Sequence, residues 1–181
     1  MKRDVKDKKK RYALQSGIVL KTGFIKNGLD TSRLVNIIAR FKSPDDFKMA
    51  EYPFPKNLFF VSDVSFGECV GILIHKFEMT KEEAAAKVKL WHEALSLQRI
   101  TEEGIESFYP IVEEANKRVV KKLDRKYEIG ENDKKIIACF LKEGINIVHT
   151  FDEGFKKTCK ELNMNIASIN IKDLKAEKRK S

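Results

Sequence analysis

Residues 145–155 read Ile145-Asn-Ile-Val-His149-Thr150-Phe-Asp152-Glu-Gly-Phe155, and this stretch decides how the chain is built. Its first five residues have the apolar, β-branched composition of a short buried strand. Glu153 to Leu162 then carries a helical pattern. An acid, Asp152, therefore stands where a strand hands over to a helix.

The same join recurs upstream. Gly23-Phe-Ile-Lys-Asn-Gly-Leu-Asp30 reads as a strand ending at an acid, followed at once by the helical pattern Ser32-Arg-Leu-Val-Asn-Ile-Ile-Ala-Arg40. Asn57-Leu-Phe-Phe-Val-Ser62 has strand composition and leads into a helix over Ser65–His75, with Glu68 in its first turns. Thr80 and Glu83 have capping-box spacing, and Ala84, Val88, Trp91 and Leu95 follow at helical intervals, with Trp91 as a core anchor.

The rest of the chain is read more coarsely. A short strand is expected over Gly104–Tyr109, then a helix from Pro110 to about Lys122 that buries Ile111, Ala115 and Val119. A linker over 124–131 precedes a helix from Asn132 to Lys142, ended by Gly144, and Asn165–Ile169 is the last strand expected. Residues 12–24 read as an extension or short hairpin. Residues 41–57, with Pro44, Pro53 and Pro55, read as a loop containing one helical turn.

Strands that alternate with helices imply an α/β fold, with helices on both faces of a mostly parallel sheet. Such sheets place ligand sites beyond the carboxyl ends of their strands, where Asp30 and Asp152 fall.

The chain has 181 residues, 42% of them hydrophobic and 12 of them Phe, which suits one domain with its own core. The net charge of +9 is unevenly placed. Residues 1–11 hold seven Lys/Arg against two Asp, and residues 172–181 hold five against two acids, so the middle is nearly neutral. The expected organisation is a basic arm (1–11), a single domain (12–171) and a basic tail (172–181). Basic ends attract polyanions by salt-sensitive, sequence-independent forces and do not identify a substrate. Cys69, Cys139 and Cys159 lack a Cys-x-x-Cys pair and lie in apolar patterns, which fits core thiols in a reduced, cytoplasmic setting. No apolar run is long enough to span a membrane.

Four acids stand at element boundaries or in first helical turns: Asp30, Glu68, Asp133 and Asp152. Singly, each is explained by helix capping or by the helix dipole. Jointly they form a constellation, because a parallel sheet brings the N-termini of its helices to one end. Carboxylates gathered there repel one another unless a hard cation neutralises them, and oxygen-only ligands suit Mg²⁺ or Mn²⁺. Zinc does not fit, since His75, His92 and His149 lack motif spacing and the cysteines are scattered.

The segments Gly-Leu-Asp30-Thr-Ser, Ser65-Phe-Gly-Glu68-Cys, Asn132-Asp133-Lys-Lys-Ile-Ile-Ala138 and Thr150-Phe-Asp152-Glu-Gly-Phe155 resemble the PIN domain, over roughly residues 24–169. The resemblance implies a three-layer α/β/α sandwich around a mostly parallel five-stranded sheet of order 3-2-1-4-5. It also implies a divalent-metal-dependent endoribonuclease. Asp30, Glu68, Asp133 and Asp152 would be its metal ligands, and Thr150 would orient Asp152 or a water. Thr31 or Ser32 would add a hydroxyl to the network or cap a helix.

Arg33, Lys134, Lys135, Lys156 and Lys157 are the candidate phosphate contacts, each with the alternative of lying on the wet face of a helix. RNA in single strands or loops is the expected substrate, with DNA as an alternative. The partners considered are a small antitoxin, an RNA-processing protein and a second copy of the chain. A competing reading keeps the fold but makes it a non-catalytic nucleic-acid-binding or assembly module. A nucleotide hydrolase is disfavoured, because no G-x-x-x-x-G-K-S/T loop is present.

Overall fold

The run Asn57–Ser62 shows how the layers arise, because alternate residues of a strand face opposite sides of its sheet. Phe59 and Val61 join one buried cluster, and Phe60 joins another. A strand apolar on both sides needs cover on both, and helices supply it. The computed structural model describes residues 24–41, 43–51, 57–145 and 147–167.

The elements run β1 (Ile25–Leu29), α1 (Thr31–Arg40), α2 (Pro44–Glu51), β2 (Asn57–Ser62), α3 (Asp63–Phe77), α4 (Lys81–Ala94), β3 (Gln98–Ile100), α5 (Tyr109–Lys122), a 3₁₀ turn (Arg125–Tyr127), α6 (Glu131–Lys142), β4 (Ile147–His149), α7 (Glu153–Glu161) and β5 (Asn165–Ile166). The sheet has the order β3-β2-β1-β4-β5, and every neighbouring pair is parallel. The expected three-layer α/β/α sandwich is what forms.

One face of the sheet is covered by α1 to α4, through Leu34, Ile37, Ile38, Phe47, Leu73, Val88 and Trp91. The other is covered by α5 to α7, through Val112, Ile136, Ile137, Phe140, Phe155 and Cys159. All three cysteines are buried free thiols. No described helix is long and apolar enough to cross a membrane.

The central strand β1 carries two polar residues that its neighbours accommodate. Lys26 holds its Nζ over the Phe60 ring, 5.5 Å from the centroid, and donates from it to the Glu143 carbonyl at 2.8 Å. Buried Asn27 donates to Asn57 Oδ1 at 3.2 Å, and its own Oδ1 lies 3.0 Å from His149 Nε2. The amide of Asp30 then donates to the His149 carbonyl at 3.2 Å, so the ends of β1 and β4 are fastened side by side.

Three expectations are corrected. Residues 44–51 form a helix and not a single turn: Ser43 Oγ accepts the Asp46 amide, Asp46 Oδ2 accepts the Ser43 amide, both at 3.2 Å, and Pro44 follows the cap. Buried Phe47 fastens it, edge-on to Phe41 and Trp91. The third strand is Gln98–Ile100, whereas 104–108 turns ahead of α5, with Gly104 at φ +79°. On α5 the buried residues are Val112, Ala115, Asn116 and Val119, while Ile111 is 50% exposed. The hairpin expected over 12–24 and the two basic ends lie outside the described residues, apart from Phe24. The last strand is described as Asn165–Ile166.

Candidate functional site: an acidic cleft at the strand ends

Parallel strands deliver their carboxyl ends to one edge, and β1, β2 and β4 each continue into a helix there. Asp30 follows β1 and N-caps α1, accepting the Ser32 amide. Its other oxygen accepts Ser32 Oγ at 3.1 Å and the Thr150 hydroxyl. Thr150, just past β4, takes the Asp152 amide at 3.0 Å on that same hydroxyl. Asp152 caps α7 through the Phe155 amide at 2.6 Å. Ser32 Oγ closes the loop by accepting the Phe151 amide at 3.0 Å.

Glu68 reaches the same place from the second turn of α3. Its two oxygens accept Thr31 Oγ1 at 2.6 Å and Asn132 Nδ2 at 2.7 Å, tying α3 to α1 and to the first turn of α6. Asp133 stands one residue further along α6. The four acids line one open cleft of about 420 Å³, with Thr31, Ser32, Gly71, Ile72, His75 and Lys76.

Their charges register on one another. Burial, followed by the nearby charges of Asp152, Asp30 and Glu68, pushes the Asp133 carboxyl up to about 6. Burial also raises the pKa of Asp30, against the opposing pull of its bonds from Thr150, Ser32 and the Arg33 amide. His149, behind the cleft, is held neutral: burial lowers its pKa to about 3, with Arg33 adding to the effect.

The PIN domain model matches residues 29–161, more than two thirds of the chain and the whole of this cleft. The chain belongs to the PIN domain family. Two solved structures share the PIN fold. VapBC2 from Rickettsia felis, bound to a DNA fragment from its promoter, superposes with a TM-score of 0.55 at 19% identity, covering 79% of this chain and 98% of that one. VapBC-1 from nontypeable Haemophilus influenzae gives 0.54 at 16% identity, covering 80% and 98%. No curated protein matches the sequence.

The expectation of Mg²⁺ or Mn²⁺ held by the PIN-like acids is corrected. Among the described residues, no group of three or more His, Cys, Asp or Glu side chains is arranged to hold a metal ion. The carboxylates are engaged by protein donors: both oxygens of Asp30 and of Glu68 accept hydrogen bonds, and Asp152 Oδ1 faces the Phe155 amide. Part of the mutual repulsion is relieved another way, by the raised proton affinity of Asp133.

The expected phosphate contacts fare unevenly. Arg33 is not a rim cation. It is fully buried, donates to Asn36 Oδ1 at 3.0 Å and stacks on the Phe151 ring. Lys134, Lys135 and Lys156 pair with Glu131, Glu102 and Glu153 at 2.7, 2.9 and 2.6 Å. Lys157 lies over the Tyr127 ring.

Asn132, His75 and Lys76 were not read from the sequence as site residues. A signal existed for the second, because Glu68, Ile72 and His75 fall on one face of a helix at steps of four and three.

Proposed function

We propose that this chain is a non-catalytic binding and assembly module of the PIN fold, whose cleft receives a cationic side chain from a protein partner. The observation that carries this reading is the state of the acids. Asp30, Glu68 and Asp152 are fixed by protein donors, yet burial, with their charges adding to it, raises Asp133 to about 6. A guanidinium or ammonium entering the cleft would offset that repulsion and favour the ionised form of Asp133. Asp30, Glu68, Asp133 and Asp152 are then the contact groups, and Thr150 positions two of them. Leu90 on α4, Ile111 on α5 and Leu123 just past its end, each at least half exposed, offer apolar surface for further assembly, including with a second copy.

Nucleic acid belongs to this reading through the basic segments 1–11 and 172–181, which would hold it by salt-sensitive contacts and not through the cleft. The DNA-bound assembly of the Rickettsia relative makes DNA as well as RNA a partner to test.

A second reading, an endoribonuclease, is favoured by one specific observation: four carboxylates of a PIN chain converge on a single cleft. A cleavage assay on labelled single-stranded RNA, run in Mg²⁺, Mn²⁺ or EDTA, separates the two. The binding module leaves RNA intact in wild type and in Asp30→Asn and Asp152→Asn alike. Cleavage by wild type that both folded variants lose would replace the module with the enzyme.

A further inference from the structure

The cleft has two ends of opposite charge. Along α3, Glu68 faces Asp133 at one end, and His75 and Lys76 line the other, with Gly71 and Ile72 between. Among the described residues, a Cβ built on Gly71 meets nothing within 4 Å, so none of them fills the floor between the two ends. His75 and Lys76 are exposed, and among the described residues neither makes a hydrogen bond or an ion pair. They differ in this from Lys134 and Lys156, which are bound to the glutamates beside them.

Basic residues in the last turn of a helix have an ordinary role, complementing its dipole. That role does not require them to line a cavity whose opposite wall is acidic. From this we propose that His75 and Lys76 form an anion subsite of the cleft, so that the preferred occupant is a peptide carrying a cationic side chain followed, about three residues on, by a carboxylate.

The spacing comes from the helix. Residues 68 and 75 are seven apart, or roughly 10 Å along the axis at ~1.5 Å per residue. An extended peptide covers that distance in about three residues. Charge decides the class of occupant. A nucleic-acid strand would bring repeated negative charge past four carboxylates to reach one exposed lysine and the histidine beside it, whereas a peptide of mixed sign complements both ends.

The proposal rests on the cleft taking a cationic group, and its test keeps the two apart. Three probes are titrated into the full-length ¹⁵N-labelled protein: a capped Gly-Arg-Gly-Gly-Asp-Gly peptide, the same peptide with Asn in place of its Asp, and a ten-nucleotide oligo-uridine. The Asp peptide should bind roughly fivefold more tightly than the Asn peptide, the scale set by exposed ion pairs. The double variant His75→Gln/Lys76→Gln should remove that preference while still binding the Asn peptide.

Equal binding of both peptides to wild type overturns the anion subsite and leaves the cationic pocket standing. Binding of neither peptide overturns the reading beneath it as well. Oligo-uridine perturbing the His75 and Lys76 amides, where the Asp peptide does not, would assign the subsite to phosphate and contradict the proposal.

Discussion

Asp30 and Asp152, at the ends of neighbouring parallel strands, are joined through one hydroxyl: Thr150 donates to the Asp30 carboxylate and accepts the Asp152 amide. The link holds the N-termini of α1 and α7 in fixed register at the floor of the cleft. Removing the hydroxyl leaves a buried carboxylate and a partly buried amide each short of a partner. Thr150→Val should therefore cost about 1–3 kcal/mol in unfolding free energy, and Thr150→Ser should recover most of it. Urea denaturation followed by circular dichroism measures both; a Val variant as stable as wild type would show that the link carries no weight.

Asp133 should make the protein less stable as pH rises. Its folded pKa, about 6, lies above its ordinary value of 3.8, so the native state binds its proton more tightly than the unfolded chain does. The stabilising contribution is complete below about pH 4 and is lost as pH climbs through 6. Asp133→Asn removes this loss. Relative to wild type, the variant should gain of order 1 kcal/mol between pH 4 and pH 7.5 once solvent screening is allowed for. A stability difference that stays flat across that range would contradict the assignment.

Gly154 and Gly28 are fixed by close approach. A Cβ on Gly154 would lie 2.9 Å from Ile129 Cγ2 and 3.0 Å from the Tyr127 carbonyl oxygen, which is backbone and cannot swing away. For a Cβ on Gly28 the three nearest atoms belong to the ring of Phe140, at 2.8 to 3.0 Å. Overpacking of this kind costs about 1–3 kcal/mol. Thermal melts should show Gly154→Ala and Gly28→Ala both destabilised, with Phe140→Leu rescuing the second and not the first.

Trp91 anchors the face covered by α1 to α4. It is 2% exposed and packs edge-on against Phe47 of α2, so it also fastens a helix that local capping alone would leave marginal. Trp91→Ala should cost about 3–5 kcal/mol, and protection of the α2 amides from hydrogen exchange should fall with it. Full protection of α2 in a folded Trp91→Ala protein would show that the helix stands independently.

The fold was legible where apolar patterning and caps agreed. Asn57–Ser62 is apolar on both sides because both sides are covered, and Thr80 with Glu83 marks the start of α4 without ambiguity. Two elements were obscured. The α2 helix hides among prolines that suggest a loop, and its signal, Ser43 and Asp46 around Pro44, is brief. The strand Gln98–Ile100 is three residues long with two of them exposed, so it shows no apolar run, and only its pairing with β2 defines it.

The site was legible in part. The four acids could be named because each follows a strand or lies in the first turns of a helix, and topology then brings them to one edge. Their occupants could not be. That Glu68 is held by Thr31 and Asn132, or that Arg33 turns inward to Phe151, depends on side-chain directions between elements far apart in sequence.

The most direct test of the account is a ¹³C NMR titration of the Asp133 carboxyl, with and without N-acetyl-arginine amide. A midpoint at about 6 that falls when the guanidinium is added is the predicted result. A midpoint in the ordinary carboxylate range, indifferent to the arginine derivative, would contradict it.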